Sequence, residues 1–161
     1  MRRGALLLLC AAMAACGGDA KKSAAQQASL GKVTRRAEAC FDKGRYDCAM
    51  TGYAKALKAQ PGDPDLLNRF GVSARLRYYV TGEADYRDQE LVALRKAAKG
   101  APKQARVQVN LGTTCWEMGL RREAATAYGR ALSLEPKHPD AALMRARIKR
   151  STQEVEEEQE E

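Results

Sequence analysis

One pattern of small, aromatic and turn-forming residues occurs twice in the chain, first over residues 44–61 and again over residues 119–136. In both stretches, alanines and a tyrosine recur at spacings of three, four and seven residues, which places them on one face of an α-helix. Both begin with glycine and end with proline, which are residues that end helices. The chain is therefore built from repeated helical units. The shared positions are Gly44, Ala49, Tyr53, Ala56, Leu57 and Pro61, and then Gly119, Ala124, Tyr128, Ala131, Leu132 and Pro136.

Prolines divide the chain into three units, which we place at residues 30–63, 64–104 and 105–138. Gly44 and Gly119 each end the first helix of a unit, where a left-handed residue is needed. The middle unit is longer than the other two, but it keeps Phe70-Gly71 where the third unit has Leu111-Gly112. Almost nothing in the sequence favours strands, so we expect an all-α protein.

These spacings resemble those of the tetratricopeptide repeat (TPR) family, whose unit of 34 residues is a helix-turn-helix. The resemblance implies a short right-handed TPR solenoid over residues 30–151, made of three repeats and a C-terminal cap helix over residues 139–151. Three repeats and a cap are close to the minimum that such a stack needs for stability.

The seven extra residues of the middle repeat fall near residues 76–86. We expect its first helix to continue to Val80, a turn at Gly82 and a second helix from Asp85. Three tyrosines here, Tyr78, Tyr79 and Tyr86, favour a small contact surface, because exposed tyrosine is enriched at interfaces. The alternative is a tolerated loop insertion.

The N-terminus has the pattern of an export signal. Arg2 and Arg3 precede an apolar run over residues 5–15, which is too short to cross a membrane and is typical of a signal peptide. The run ends Met13-Ala14-Ala15-Cys16, which resembles the lipobox of bacterial lipoproteins. The resemblance implies that residues 1–15 are removed and that Cys16 carries lipid. The alternative is an ordinary secretory signal with an incidental cysteine.

The lipoprotein resemblance also implies a location. Acyl chains on Cys16 would hold the protein on a membrane, and Gly17, where an aspartate would favour the inner membrane, points to the outer membrane facing the periplasm. Residues 16–29 are small and polar, so we expect the lipidated cysteine to be followed by a flexible tether.

Charge is divided unequally along the chain. Residues 152–161 contain six glutamates, so we expect an acidic, disordered tail. The rest of the exported part is strongly basic. An exported protein does not meet nucleic acid, so we expect its counter-charge to be an acidic partner, anionic lipid, cell-wall polymer or its own tail.

The sequence has no enzyme signature. His138 is the only histidine, and it lies in a turn between two prolines with no acid or nucleophile patterned around it. No phosphate-binding loop, zinc motif or calcium loop is present. We therefore expect no catalysis, no cofactor and no metal site.

Three cysteines lie in the repeat region. Cys40 and Cys48 flank the turn of the first repeat, an arrangement that resembles the cysteine-rich relatives of TPRs, in which such a pair joins the two helices by a disulfide. The alternative is two small buried hydrophobic residues. Cys115 occupies an inward position and is expected to be a packed free thiol.

In the TPR family the first helices line a concave groove that binds partners. The family's contact positions fall in this chain on Thr34, Arg35, Glu38 and Phe41 of the first repeat. From the later repeats they select a predicted groove of Asn68, Arg69, Val72, Arg75, Arg106, Val109, Asn110, Thr113, Trp116 and Arg147.

This predicted groove is rich in arginine and has one large aromatic residue, the composition of a protein-binding hot spot. The alternative is that the arginines form a solvated face and that Trp116 belongs to the core. We expect an envelope adaptor that binds partner proteins and supports assembly of a complex, such as a pilus secretin or an outer-membrane assembly. The alternative function is a lipoprotein that binds cell-wall polymer through a basic concave face.

Overall fold

The structure is a computed structural model that describes the backbone of residues 16–160 and the side chains of residues 24–154. Over this range the chain forms helices joined by short turns, and no strand occurs in it. The predicted signal peptide, residues 1–15, lies outside the described residues. The helices are α1 (Cys16–Asp42), α2 (Tyr46–Ala59), α3 (Pro64–Thr81), α4 (Ala84–Gly100), α5 (Ala105–Glu117), α6 (Arg121–Leu134) and α7 (Ala141–Glu160).

Each helix packs against the next one along the chain, so the helices form three hairpins and a final single helix. Glycines with positive φ end the first helix of each hairpin: Gly44 at 69°, Gly82 at 72° and Gly119 at 75°. A side chain at this backbone conformation would be strained, which explains the recurrence of glycine at the turns. The second hairpin begins with Pro64 at the first helical position, where Asp63 caps the helix by accepting a hydrogen bond from the Leu66 backbone N–H at 2.9 Å.

The middle repeat has the prolonged first helix, the turn at Gly82 and the second helix that the sequence predicts, and its second helix is lengthened as well. Helix α3 has 18 residues and α4 has 17, against 13 in α5 and 14 in α6. Tyr79 and Val80 are exposed at the end of α3, next to the turn of this longer hairpin. Tyr78 and Tyr86 are half-buried.

Two predicted segments differ from the structure. The expected flexible tether is wrong, because α1 runs without interruption from Cys16 through residues 17–29. The expected disordered tail is also wrong, because α7 continues from the cap region to Glu160. Both segments lack proline and are rich in alanine, lysine, glutamine or glutamate, which are good helix formers. Each is continuous with a packed helix, so neither requires a new helix nucleus.

Small residues set the distance between the helices. Four alanines at the contact positions are at most 1% exposed, which are Ala49, Ala56, Ala124 and Ala131. An added Cβ at Gly112 would lie 2.7 Å from the Tyr128 ring, and one at Gly71 would lie 2.8 Å from Leu94. The helices are therefore in closest contact at these positions.

The core consists of two clusters. One joins the first hairpin to the start of α3 through residues such as Tyr53 and Leu66. The other runs from Leu67 through α4, α5 and α6 to Met144 of the cap helix. The cap helix thus covers the last hairpin, as its position in the sequence predicted.

The close contacts predict opposite effects for two alanine substitutions. Gly112→Ala forces a Cβ against the Tyr128 ring and should lower the free energy of unfolding by about 1–3 kcal/mol. Gly129 lies in the interior of α6 with nothing within 4 Å of an added Cβ. Gly129→Ala should therefore raise stability by about 0.5–1 kcal/mol, because alanine favours the helix.

Urea unfolding of the two variants measures both effects. A stabilising effect of Gly112→Ala would mean that α5 and α6 are farther apart than described.

Candidate functional site

A groove of about 250 Å³ lies along the first helices of the three hairpins. Five residues of the predicted groove line it, which are Asn68, Arg69, Val72, Arg106 and Asn110. Phe41 of α1 and Tyr53 of α2 complete it. Stacking of the hairpins thus brings together side chains from four helices that the sequence separates by up to 69 positions. We call these seven residues the concave groove.

Two asparagines from successive repeats meet in this groove. The side-chain amide of Asn110 donates a hydrogen bond to Oδ1 of Asn68, with a donor–acceptor distance of 2.8 Å. Asn68 is 4% exposed, yet its own Nδ2 has no partner among the described residues, and neither has Oδ1 of Asn110. The pair therefore presents one free donor and one free acceptor at the groove.

The arginines of the groove are paired with acids on the same surface. Arg69 lies 3.2 Å from Glu38, and Arg106 lies 2.9 Å from Asp65. The expectation of a basic groove is therefore wrong in this part, because the neighbouring repeat supplies a carboxylate to each guanidinium. These pairs are exposed and contribute little to stability. Burial raises the pKa of the Tyr53 phenol, although a hydrogen bond with Arg69 acts in the opposite direction.

A second depression of about 420 Å³ adjoins the groove at Arg69 and lies between α1 and α3. Leu30 and Leu66 give it an apolar wall, while Arg35 and Asp65 are exposed beside them. The two depressions share Arg69, and together they are lined by residues of all three repeats.

Arg75 was predicted to line the groove, and this prediction is wrong. Its guanidinium is buried between repeats, where Nε donates to Oε1 of Glu90 at 2.5 Å. Nη2 donates to the Asn110 carbonyl and to Oγ1 of Thr114, each at 2.7 Å. Glu90 is fully buried, so its charge requires a cation at this position. The family's contact positions placed Arg75 in the groove. They gave no sign of its partner Glu90, because this carboxylate comes from another helix, α4.

A chain of polar contacts leads from this buried ion pair to the surface. Arg87 lies 3.1 Å from Glu90 and 2.8 Å from Glu117, which also accepts a hydrogen bond from the Tyr79 hydroxyl. Burial lowers the pKa of Arg87, but its hydrogen bonds to Glu117 and Glu90 outweigh burial and raise it overall. Although the Tyr79 side chain is largely exposed, partial desolvation of its hydroxyl and the hydrogen bond to Glu117 raise the pKa of Tyr79 to about 12. The insertion is thus attached to α5 by polar contacts.

Trp116 and Arg147 lie with the cap helix instead of the groove. The guanidinium groups of Arg121, Arg147 and Arg150 lie 4.2, 5.4 and 5.9 Å from the centre of the Trp116 ring, distances at which cations attract an aromatic face. Arg147 also donates to the Tyr128 hydroxyl at 2.5 Å. Trp116 is half-buried by this packing, so it is not a free aromatic anchor.

The two remaining predicted groove residues also pack inward. Val109 is half-buried against the larger core cluster. The hydroxyl of Thr113 accepts a hydrogen bond from Tyr128 at 3.2 Å. Neither lines the concave groove, since Val109 packs against the core and Thr113 contacts α6.

Cys40 and Cys48 lie at disulfide-bonding distance, with Cα atoms 5.7 Å apart. This separation is within the range that a disulfide requires. Cys115 is a buried free thiol, and burial together with Glu123 raises its pKa to about 12, so it stays protonated and unreactive.

In the part of the chain that the structure describes, no group of three or more His, Cys, Asp or Glu residues could hold a metal ion. No described helix is long and apolar enough to cross a membrane.

The stacked hairpins, the capping helix and the concave groove define the fold of a TPR solenoid. Residues 105–138 match the family model of the tetratricopeptide repeat, with the same boundaries as our third repeat. A comparison of the sequence with curated proteins finds no match.

Solved TPR structures share this fold at low sequence identity. The Sgt2 TPR domain from Aspergillus fumigatus is 20% identical, with 83% of each chain covered and a TM-score of 0.63. The first TPR domain of human RPAP3 is 19% identical, with 80% of this chain and 95% of that chain covered and a TM-score of 0.65. The second TPR domain of human RPAP3, determined in complex with the HSP70 peptide SGPTIEEVD, is 18% identical, with 73% and 92% covered and a TM-score of 0.62.

Sequence reasoning missed Glu90 and the place of Tyr53 in the groove. Glu90 carries a signal in the sequence, since it lies four residues before Leu94 and seven before Ala97 on the inward face of a helix. A charge at such a position needs a buried partner. The repeat pattern predicts Tyr53 only as a residue of the packed face of α2, whereas in the structure this buried side chain also lines the groove.

The buried ion pair predicts that removing one of its two charges lowers the free energy of unfolding much more than removing both. Arg75→Met leaves the Glu90 carboxylate buried with only Arg87 and Thr114, and should cost about 3 kcal/mol of stability. Arg75→Met with Glu90→Met removes both charges and should restore most of that loss. Arg106→Met, an exposed position in the groove, is the matched control and should change stability by about 0.5 kcal/mol or less.

Thermal and urea unfolding measure all three variants. Equal stabilities of the Arg75→Met and Arg106→Met proteins would contradict a structural role for Arg75.

Proposed function

We propose that this protein is a membrane-anchored adaptor of the cell envelope that holds an extended segment of a partner protein in its concave groove. The observation that carries the proposal is the asparagine pair, whose free donor and free acceptor match those of a peptide backbone. Phe41 and Val72 supply apolar contacts beside them. By supporting the partner segment, the protein would assist assembly or stability of an envelope complex.

The fold supports a peptide as the ligand. One structure with the same fold, the second TPR domain of human RPAP3, is described in complex with a peptide. Some TPR domains hold the C-terminal carboxylate of a partner with a clamp that includes a lysine and an asparagine of the first repeat. This chain has Thr34 and Glu38 at those two positions. Glu38 would repel a terminal carboxylate, so we propose an internal, uncharged or mixed-charge segment as the ligand.

The charge pairs favour this function over cell-wall polymer binding. A polymer rich in carboxylates needs unpaired cations, and the groove arginines Arg69 and Arg106 face Glu38 and Asp65. A peptide can exchange such exposed pairs for its own polar groups at small cost.

Membrane attachment through lipidated Cys16 is the second part of the proposal. It is supported by Met13-Ala14-Ala15-Cys16 after an apolar run and by the disulfide-distance pair, since disulfides persist in oxidising compartments such as the periplasm. Helix α1 begins at Cys16, and residues 24–29 are exposed on all sides. We propose that this part of α1 is a helical spacer between the lipid and the first repeat, at the outer membrane facing the periplasm.

A large charged side chain in the groove should abolish partner capture. Val72→Arg places a guanidinium beside Asn68 and Arg69, which fills the groove and removes the apolar contact of Val72. We expect recovery of crosslinked envelope partners to fall at least about tenfold, since a lost hot-spot contact costs about 2 kcal/mol or more. Val92→Arg is the matched control, because Val92 is 51% exposed on α4 and lies outside the groove.

Melting temperatures of the two variants should agree to within a few degrees, which separates lost binding from unfolding. Capture of the same partners by both variants would exclude the groove, and the Tyr78-Tyr79-Tyr86 surface would then be tested.

Cys16→Ser should release the protein from the membrane fraction or leave an unprocessed precursor, because the acyl chains have no other site of attachment. Cys10→Ser is the control and should fractionate like the wild type.

Wild-type protein extracted from membranes and denatured without reductant should show one free thiol, from Cys115. Membrane association of the Cys16→Ser protein would contradict lipidation, and three free thiols would contradict the disulfide.

A further inference from the structure

The first repeat has a stacking face that no described residue covers. The fourth residue of each repeat shows the difference. In the second and third repeats this residue is buried, as Leu67 at 7% exposure and Gln108 at 0%, whereas Val33 of the first repeat is only half-buried. In the second and third repeats a preceding helix, α2 or α4, packs on this face. Among the described residues, no helix precedes α1.

A cleft of about 280 Å³ occupies this face between α1 and α2. Val33, Ala37 and Gly52 form its floor, and the exposed side chains of Arg36 and Lys55 stand at its rim. Neither cation forms an ion pair with any described residue. We call this cleft with its rim the edge cleft. It combines a small apolar floor with unneutralised positive charge, so it fits an acidic segment.

The chain carries such a segment at its other end. Glu154 to Glu161 contains six glutamates in eight residues and one apolar residue, Val155. The Glu154 side chain pairs with Arg121, the first residue of α6. Helix α7 continues to Glu160, beyond the residue that pairs with the first residue of α6.

We propose that the edge cleft binds the acidic end of α7 of a second copy of this chain, so that molecules associate head to tail. Two edge clefts cannot pair with each other, because Arg36 and Lys55 of the two copies would repel. The first half of α7 is also excluded as the occupant, since the basic side chains of Arg145 and Lys149 are exposed on it. A head-to-tail contact leaves one cleft and one acidic end free, so association can continue beyond a dimer. The concave groove of each copy stays open.

The association is electrostatic, which sets its expected behaviour. Sedimentation velocity of the full chain carrying Cys16→Ser, which removes the proposed lipid, should show an average mass that rises with protein concentration. Raising the salt from about 0.05 M to about 0.5 M should weaken the association about tenfold or more, because exposed charges are screened. A protein that remains monomeric up to about millimolar concentration at low salt would overturn the proposal.

Charge reversal identifies the two surfaces. Arg36→Glu with Lys55→Glu should abolish self-association, and so should Glu156→Lys with Glu157→Lys and Glu158→Lys. A mixture of the two variants should associate again, because the reversed charges are complementary. Arg130→Glu is the matched control, since Arg130 is the exposed residue of the third repeat equivalent to Lys55, and it should associate like the wild type.

Self-association that survives both reversals, or a mixture that stays monomeric, would show that copies do not meet through these surfaces. Val72→Arg should self-associate normally, so failure of this inference is distinguishable from failure of the proposed groove.

Discussion

Helices α5 and α6 approach so closely that a Cβ at Gly112 would lie 2.7 Å from the Tyr128 ring, and the other hairpins show the same kind of contact. In the second hairpin a Cβ at Gly71 would meet Leu94, and in the first a Cβ at Gly52 would lie 2.6 Å from the Cβ of Ala37. Because the two helices of each hairpin lie this close together, successive hairpins can stack with their first helices side by side. The concave groove exists because of this spacing, since it is lined mainly by side chains of three neighbouring first helices.

The arginines of this protein serve two physically distinct purposes. Arg75 is buried against Glu90 of its own repeat and is joined to the third repeat by hydrogen bonds to Asn110 and Thr114. Arg69 and Arg106 form exposed pairs that water can replace. A buried pair is costly to break but adds little over a well-packed apolar pair, so its role is to define which surfaces meet. The exposed pairs set the charge of the groove without contributing much to stability.

The two ends of the chain also differ in their surroundings. At the C-terminal end, α7 covers the last hairpin, and Arg121, Arg147 and Arg150 surround Trp116 beneath it. At the N-terminal end, α1 has no equivalent cover within the described residues, and its stacking face is partly exposed around Val33. Over the described residues the solenoid therefore has two different ends, one covered by a helix and one not.

The sequence by itself determined the number of hairpins, their turns and the cap, because these depend on local spacing. Glycine at a positive φ, proline at helix ends and alanine at contact positions act within a few residues of their place in the chain, so the repeat period of the family was enough to locate them. The same period was enough to place Asn68, Val72 and Asn110 in one groove. The helical state of residues 16–29 and 152–160 was missed, since small or charged residues of good helix propensity were interpreted as linkers.

Only the tertiary structure decided which polar residues are free to bind. Arg75 and Arg106 were both predicted to line the groove. In the structure Arg75 is buried against Glu90 of α4, whereas Arg106 pairs with the exposed Asp65 of the neighbouring repeat and stays in the groove. The burial of Trp116 likewise depends on α7, which begins at Ala141 and places the side chains of Arg147 and Arg150 over the Trp116 ring. A partner that comes from another helix has no local signature, because its contact is fixed by the angle and separation of packed helices. The packing of helices therefore decided which of these side chains are buried and which line the groove.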